Sequence, residues 1–134
     1  MPANNYPVFV LTPKIGMARI ATANTNRDGT GTLGDVIAGS TFGTRVDRIK
    51  IMATGTTTAG MVRFYVYDGT NNRLWRELAV TAITPSATVL GYTNEIMTPD
   101  TQSPLLVLPS ATYILRASTH NGETFDIVAH GGDF

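Results

Sequence analysis

Between residues 45 and 80 apolar and polar positions alternate with a period of two. Val62, Phe64 and Val66 fall on one side of an extended chain, and Met61, Arg63, Tyr65 and Tyr67 on the other, the pattern of a half-buried strand. Residues 45–54 and 73–80 alternate in the same way. The glycine-flanked run 55–60 and the Asp68-Gly69-Thr70-Asn71-Asn72 turn separate the three segments. The stretch therefore predicts a three-strand meander. Its inward positions are Ile49, Ile51, Val62, Phe64, Val66, Leu74, Leu78 and Val80. Its outward positions include Tyr65, Tyr67, Trp75 and Arg76.

The remainder of the chain predicts more strands. Residues 14–22, 32–40, 88–97 (interrupted by Gly91), 105–108, 113–119 and 124–130 are strand candidates, and His120-Asn121-Gly122-Glu123 carries an Asn-Gly hairpin signal. No segment keeps a helical period over ten residues. Eight or nine strands with turns about every ten residues predict an all-β fold. The longer connections 82–87 and 98–104 suggest Greek-key links, so a single antiparallel β-sandwich of jelly-roll type is expected over residues 15–134. Residues 1–14 contain Pro2, Pro7 and Pro13 around a short apolar run. Proline removes a donor and keeps the preceding residue extended, which predicts an extended N-terminal arm. Tyr6 and Phe9 give that arm something to bury, either at an edge of its own domain or on a neighbouring subunit.

The 134 residues suffice for one domain with its own core. Ten basic residues balance ten acidic ones, which argues against a dedicated nucleic-acid binder. Eight of the ten basic residues are Arg, a side chain enriched where surfaces meet. Cysteine is absent, so disulfides, zinc thiolates and a Cys nucleophile are excluded. No apolar run approaches the length of a membrane span, and the first residues lack the basic and apolar regions of a signal peptide. Only 15% of residues are charged, low for a free cytosolic surface and suited to one covered by neighbours.

The best match to a chemical motif is Asn24-x-Asn26-x-Asp28-Gly29 with Asp35 following. Calcium loops place oxygens at alternate positions, then Gly, then a distal carboxylate. An amide at the first position and Asp at the last weaken the match, and a polar connecting loop accounts for the same residues. Asp28-Gly29-Thr30-Gly31 resembles an acid-protease motif only loosely, because its glycine is misplaced. His120 and His130 stand beside no serine in a nucleophile-elbow context, and Glu77 and Glu95 form no glycosidase pair. No catalytic, cofactor-binding or metal-binding residue is assigned, and the chain is expected not to be an enzyme. The outward aromatics and arginines of 63–76 admit three uses: a face covered by the chain's own arm or loops, a partner interface, or a platform for sugar rings.

The successions Gly43-Thr-Arg-Val-Asp-Arg-Ile49, Ala53-Thr-Gly-Thr-Thr-Thr-Ala-Gly-Met-Val-Arg63 and Tyr67-Asp-Gly-Thr-Asn-Asn-Arg-Leu-Trp-Arg-Glu77 resemble small virion proteins of tailed-phage and prophage structural operons. Leu106-Val-Leu-Pro, Tyr113 and the final Gly-Gly-Asp extend the resemblance, which runs from about Lys14 onward. These motifs mark turns and core, and none is catalytic. The resemblance implies a β-sandwich that decorates or cements a capsid, commonly as a homotrimer. The implied partner is the major capsid protein, and the location is the outer surface of the virion after synthesis in the host cytoplasm. A tail or head-fibre protein that binds host glycans is the alternative. The expected partner-interface residues are Tyr6, Phe9, Tyr65, Tyr67, Trp75 and Arg76, the glycan alternative resting on Trp75, and no cofactor, nucleic acid or membrane is expected.

Overall fold

The computed structural model describes residues 10–97 and 104–134. Tyr6 and Phe9 lie outside the described residues. Alternation becomes strand wherever it persists: in β3 (Thr44–Ala53), Ile49, Ile51 and Ala53 are buried while Arg48, Lys50 and Met52 are exposed. The other strands are β1 (Thr12–Ile20), β2 (Gly34–Ala38), β4 (Gly60–Tyr67), β5 (Asn72–Val80), β6 (Thr93–Met97), β7 (Leu106–Leu108), β8 (Ile114–Thr119) and β9 (Phe125–Asp133). No helix occurs among the described residues.

Two antiparallel sheets form a β-sandwich. Sheet A has the order β1-β9-β3-β6, with β7 paired to the start of β3, and sheet B has the order β2-β8-β4-β5. This is the strand order of a jelly roll: β1 and β2 lie alongside β9 and β8 as one long ribbon folded over into two layers. The predicted meander is therefore split. β3 belongs to sheet A, whereas β4 and β5 form a hairpin in sheet B. The Asn121-Gly122 turn does not close a hairpin either, because it carries the chain from β8 in sheet B to β9 in sheet A. Alternation says which side chains face the core, and it is the same in both layers. It does not say which layer a strand joins. Residues 88–92 are not strand, and β6 begins only at Thr93. β1 begins at Thr12, two residues before the predicted start, and pairs with β9 along its whole length.

Val46, Ile49, Ile51, Val62, Phe64, Leu115 and Ile127 fill the space between the sheets and are fully buried. At one flank the layers come very close. A Cβ on Gly16 of β1 would lie 2.4 Å from the Val36 carbonyl oxygen of β2, so only glycine fits there. Tyr92 closes the neighbouring flank. Its ring meets Phe125 edge-on at 6.1 Å, and its hydroxyl donates to the Ala79 carbonyl at 2.7 Å.

The β4–β5 hairpin contains a bulge. Phe64 pairs with Arg76 and Tyr65 with Leu74, leaving Trp75 as the extra residue. The alternation of β5 reverses there. Leu74, predicted to face inward, shares the outer face with Tyr65 and is 39% exposed. Trp75, predicted to face outward, packs against the core. Arg76 keeps the phase of Leu78 and Val80, opposite Phe64, so the break in alternation falls between Arg76 and Leu74.

Candidate interaction surface

The outer face of β4 was the predicted interface, and the chain covers it with its own loop. Residues 21–33 cross from β1 to β2 over sheet B. Tyr65 is 0% exposed, and its hydroxyl donates to the Asn26 carbonyl at 3.0 Å. Asn72 Nδ2 donates to the Gly29 carbonyl at 3.1 Å. Arg63, 4% exposed, donates through Nε to Glu77 Oε1 at 2.9 Å and lies 3.3 Å from His120 Nδ1. Arg27, on the loop, grips both oxygens of the same Glu77 at 2.9 and 3.0 Å. Hydrogen bonds from Arg27 first, then Arg63, hold the Glu77 carboxyl below its ordinary range. Tyr65 is thus withdrawn from any partner surface, and its hydroxyl anchors the roof.

The calcium-like residues build that roof. Asn24 Oδ1 accepts from the Asn26 amide at 3.0 Å, and its Nδ2 donates to the carbonyls of Thr30 and Thr32 at 2.9 and 3.0 Å. Asp28 Oδ1 accepts from the amide and hydroxyl of Thr30, which keeps its carboxyl below the usual range. Gly29 and Gly31 take φ of 88° and 84°, a region that side chains disfavour. Asp35 lies on β2 and pairs with Arg116 Nε at 2.8 Å. Asn24 Oδ1, Asp28 Oδ1 and Asp35 Oδ1 are each engaged by a donor of the protein itself, and among the described residues no cluster of three His, Cys, Asp or Glu occurs. His120 faces Arg63, while His130 is exposed on sheet A.

Tyr67, Trp75 and Arg76 remain near the surface around β5. Tyr67 is half-buried; the Arg116 guanidinium stacks 3.9 Å over its ring, and its hydroxyl donates to the Gly69 carbonyl at 2.8 Å. Arg76 is exposed and lies 5.2 Å from the Trp75 ring centroid. β5 is an edge strand, with no strand on its far side among the described residues. Charge bookkeeping sets it apart. Lys14, Arg19, Arg27, Arg45, Arg48, Arg63 and Arg116 each pair with a carboxylate of the chain. Of the ten cationic side chains, Lys50, Arg73 and Arg76 have no ion-pair partner among the described residues. Two of these three stand on β5, either side of Leu74 and Trp75. Arg73 is among the arginines of 63–76 singled out in the sequence, but its lack of an ion-pair partner among the described residues depends on where all the carboxylates go.

The chain matches no protein-family model and no curated protein.

Proposed function

We propose that the chain is a non-enzymatic virion structural protein that binds the outside of a phage capsid and stabilises it. The open β5 edge carries the proposal that the protein acts by binding. Arginines without a close ion-pair partner among the described residues, beside a tryptophan, are the composition that protein interfaces favour. With no strand beyond β5 among the described residues, its outer backbone groups, apart from the Ala79 carbonyl that Tyr92 holds, can pair with an extended segment of a partner. The choice of a capsid, with its major capsid protein as partner, rests on the resemblance of residues 43–77 to virion proteins. A homotrimer would present three such edges to one lattice position. A subunit that binds only the assembled lattice stabilises it by its own binding free energy.

The test is co-sedimentation of the purified chain with capsids from a virus lacking its gene. The wild-type chain saturates at a fixed copy number and raises the temperature at which the shells break. Arg73→Glu with Arg76→Glu abolishes saturation while the urea midpoint stays near the wild-type value. Unchanged binding of that variant would sink the β5 assignment. Failure of the wild-type chain to bind would sink the capsid assignment.

A second function, glycan binding by a tail or head fibre, draws on Trp75 standing at the same edge. The indole packs against the core and lies beside Arg76, which leaves less of its face for a sugar ring. Binding of the wild-type chain on a glycan array would favour this alternative.

A further inference from the structure

The Asn121-Gly122 pair, a hairpin signal in the sequence, lies on the crossing from β8 to β9. Asparagine followed by glycine is the pair most prone to cyclise, because glycine puts no side chain in the way of its own nitrogen. Gly122 is exposed and Asn121 half-buried. The Gly122 N–H has no acceptor among the described residues. The Asn121 carbonyl, joined to that nitrogen by the peptide bond, accepts twice: from the Thr119 hydroxyl and from the Glu123 amide, each at 2.8 Å. When the Gly122 nitrogen loses its proton, the charge spreads onto this oxygen. Both donors then stabilise it where it develops.

The Asn121 side chain meanwhile fastens the connection between β3 and β4. Its Nδ2 donates to Thr58 Oγ1 at 3.0 Å and to the Ala59 carbonyl at 3.1 Å. It lies so close to the start of β4 that a Cβ on Gly60 would come within 2.5 Å of it. Thr58 gives its own hydroxyl proton to Glu123 Oε1 at 2.6 Å, and its amide donates to the same oxygen at 2.7 Å. Glu123 Oε2 is buried with no hydrogen-bond partner.

We propose that Asn121 is a self-modification site, and that its deamidation releases residues 55–60 from the β8–β9 crossing. The Gly122 nitrogen, its proton passed to solvent, attacks Asn121 Cγ. A bond forms between them, the Cγ–Nδ2 bond breaks, and Nδ2 takes a proton from water and leaves as ammonia. Water then opens the five-membered imide at either carbonyl, giving aspartate or isoaspartate at position 121. One water is consumed and one ammonia released, with no change of oxidation state. Both donors to the 58–60 segment are lost, and a second carboxylate stands beside Glu123, whose buried oxygen already lacks a partner. Isoaspartate also lengthens the backbone of the crossing by one carbon. The modification is independent of what β5 binds and of the capsid assignment.

The test is to hold the full chain at mildly alkaline pH for days to weeks and follow it by peptide mass spectrometry. Asn121 should convert to the acid before any other asparagine, with isoaspartate among the products. Gly122→Ala, whose Cβ would meet only ordinary contacts, should slow the conversion several-fold. Thr119→Val should slow it as well, and Thr119→Ser should restore the wild-type rate. An intact Asn121, or conversion no faster than at Asn71 or Asn94, overturns the site. A wild-type rate in Thr119→Val overturns the role of the donors. Hydrogen exchange reads the release: in the aged chain and in Asn121→Asp, the amides of 57–60 should exchange about tenfold faster, while those of Phe64 and Leu115 stay unchanged. Unchanged exchange at 57–60 overturns the release.

Discussion

Tyr65 and Arg63 are the residues whose roles depend most on what the rest of the chain does. In a strand seen alone they are outward and free. In the fold each is locked beneath the 21–33 connection by groups 14 to 57 residues away. Tyr65→Phe removes only the bond to the Asn26 carbonyl and should cost about 1 kcal/mol in urea unfolding. A hydroxyl idle on the surface would cost almost nothing. The calcium-like motif was legible as a turn and illegible as a roof for the same reason. Asn24, Asp28 and the glycines at 29 and 31 shape the loop locally, but the surface it lands on lies on β4 and β5, far along the chain.

At the scale of elements, periodicity located the strands well. It failed where regularity itself failed, at the β5 bulge. Trp75→Ala should therefore behave as the truncation of a half-buried side chain packed on the core, costing about 2 kcal/mol in chemical denaturation, below the roughly 3–5 kcal/mol of a fully buried indole. An outward indole would cost within about 0.5 kcal/mol, so the measured loss separates the two orientations. Arg76 gave no warning, because it keeps the phase of Leu78 and Val80 and the bulge falls only beyond it, at Trp75. Sheet membership was not legible at all. β3 and β4 follow one another and alternate alike, yet their partners, β9 and β8, lie far along the chain, with paired residues never nearer than the 47 positions from Tyr67 to Ile114. Nothing local marks which strand will pair with which. The candidate site was partly legible: Trp75 and Arg76 were picked for their size and chemistry, whereas the openness of β5 required the strand order.

Across the whole molecule, ion pairs and carboxylate hydrogen bonds stitch distant segments together. Glu77 is held below its ordinary range by Arg27 and Arg63, Asp126 by Arg19, and Asp133 by the Thr44 hydroxyl and Lys14. A depressed carboxylate stabilises the fold fully above its unfolded pKa, about 4, and that contribution is lost as pH falls through its folded value. The urea midpoint should accordingly change little on this account from about pH 7 to about pH 5 and drop below about pH 4. Replacing Glu77 by Gln should shrink the acid-induced drop. The jelly-roll order has one more consequence, which concerns how the protein is made. β9 lies between β1 and β3 in sheet A, yet it leaves the ribosome after all of β1 to β8. Its contacts reach back as far as 122 residues, from Asp133 to Leu11. Until it arrives, a nascent chain holds β1 and β3 as unpaired edges, and chains that break off early cannot close the sheet. Folding should then follow synthesis, with the slow kinetics of long-range strand pairing, and prematurely terminated chains should be captured by chaperones or aggregate.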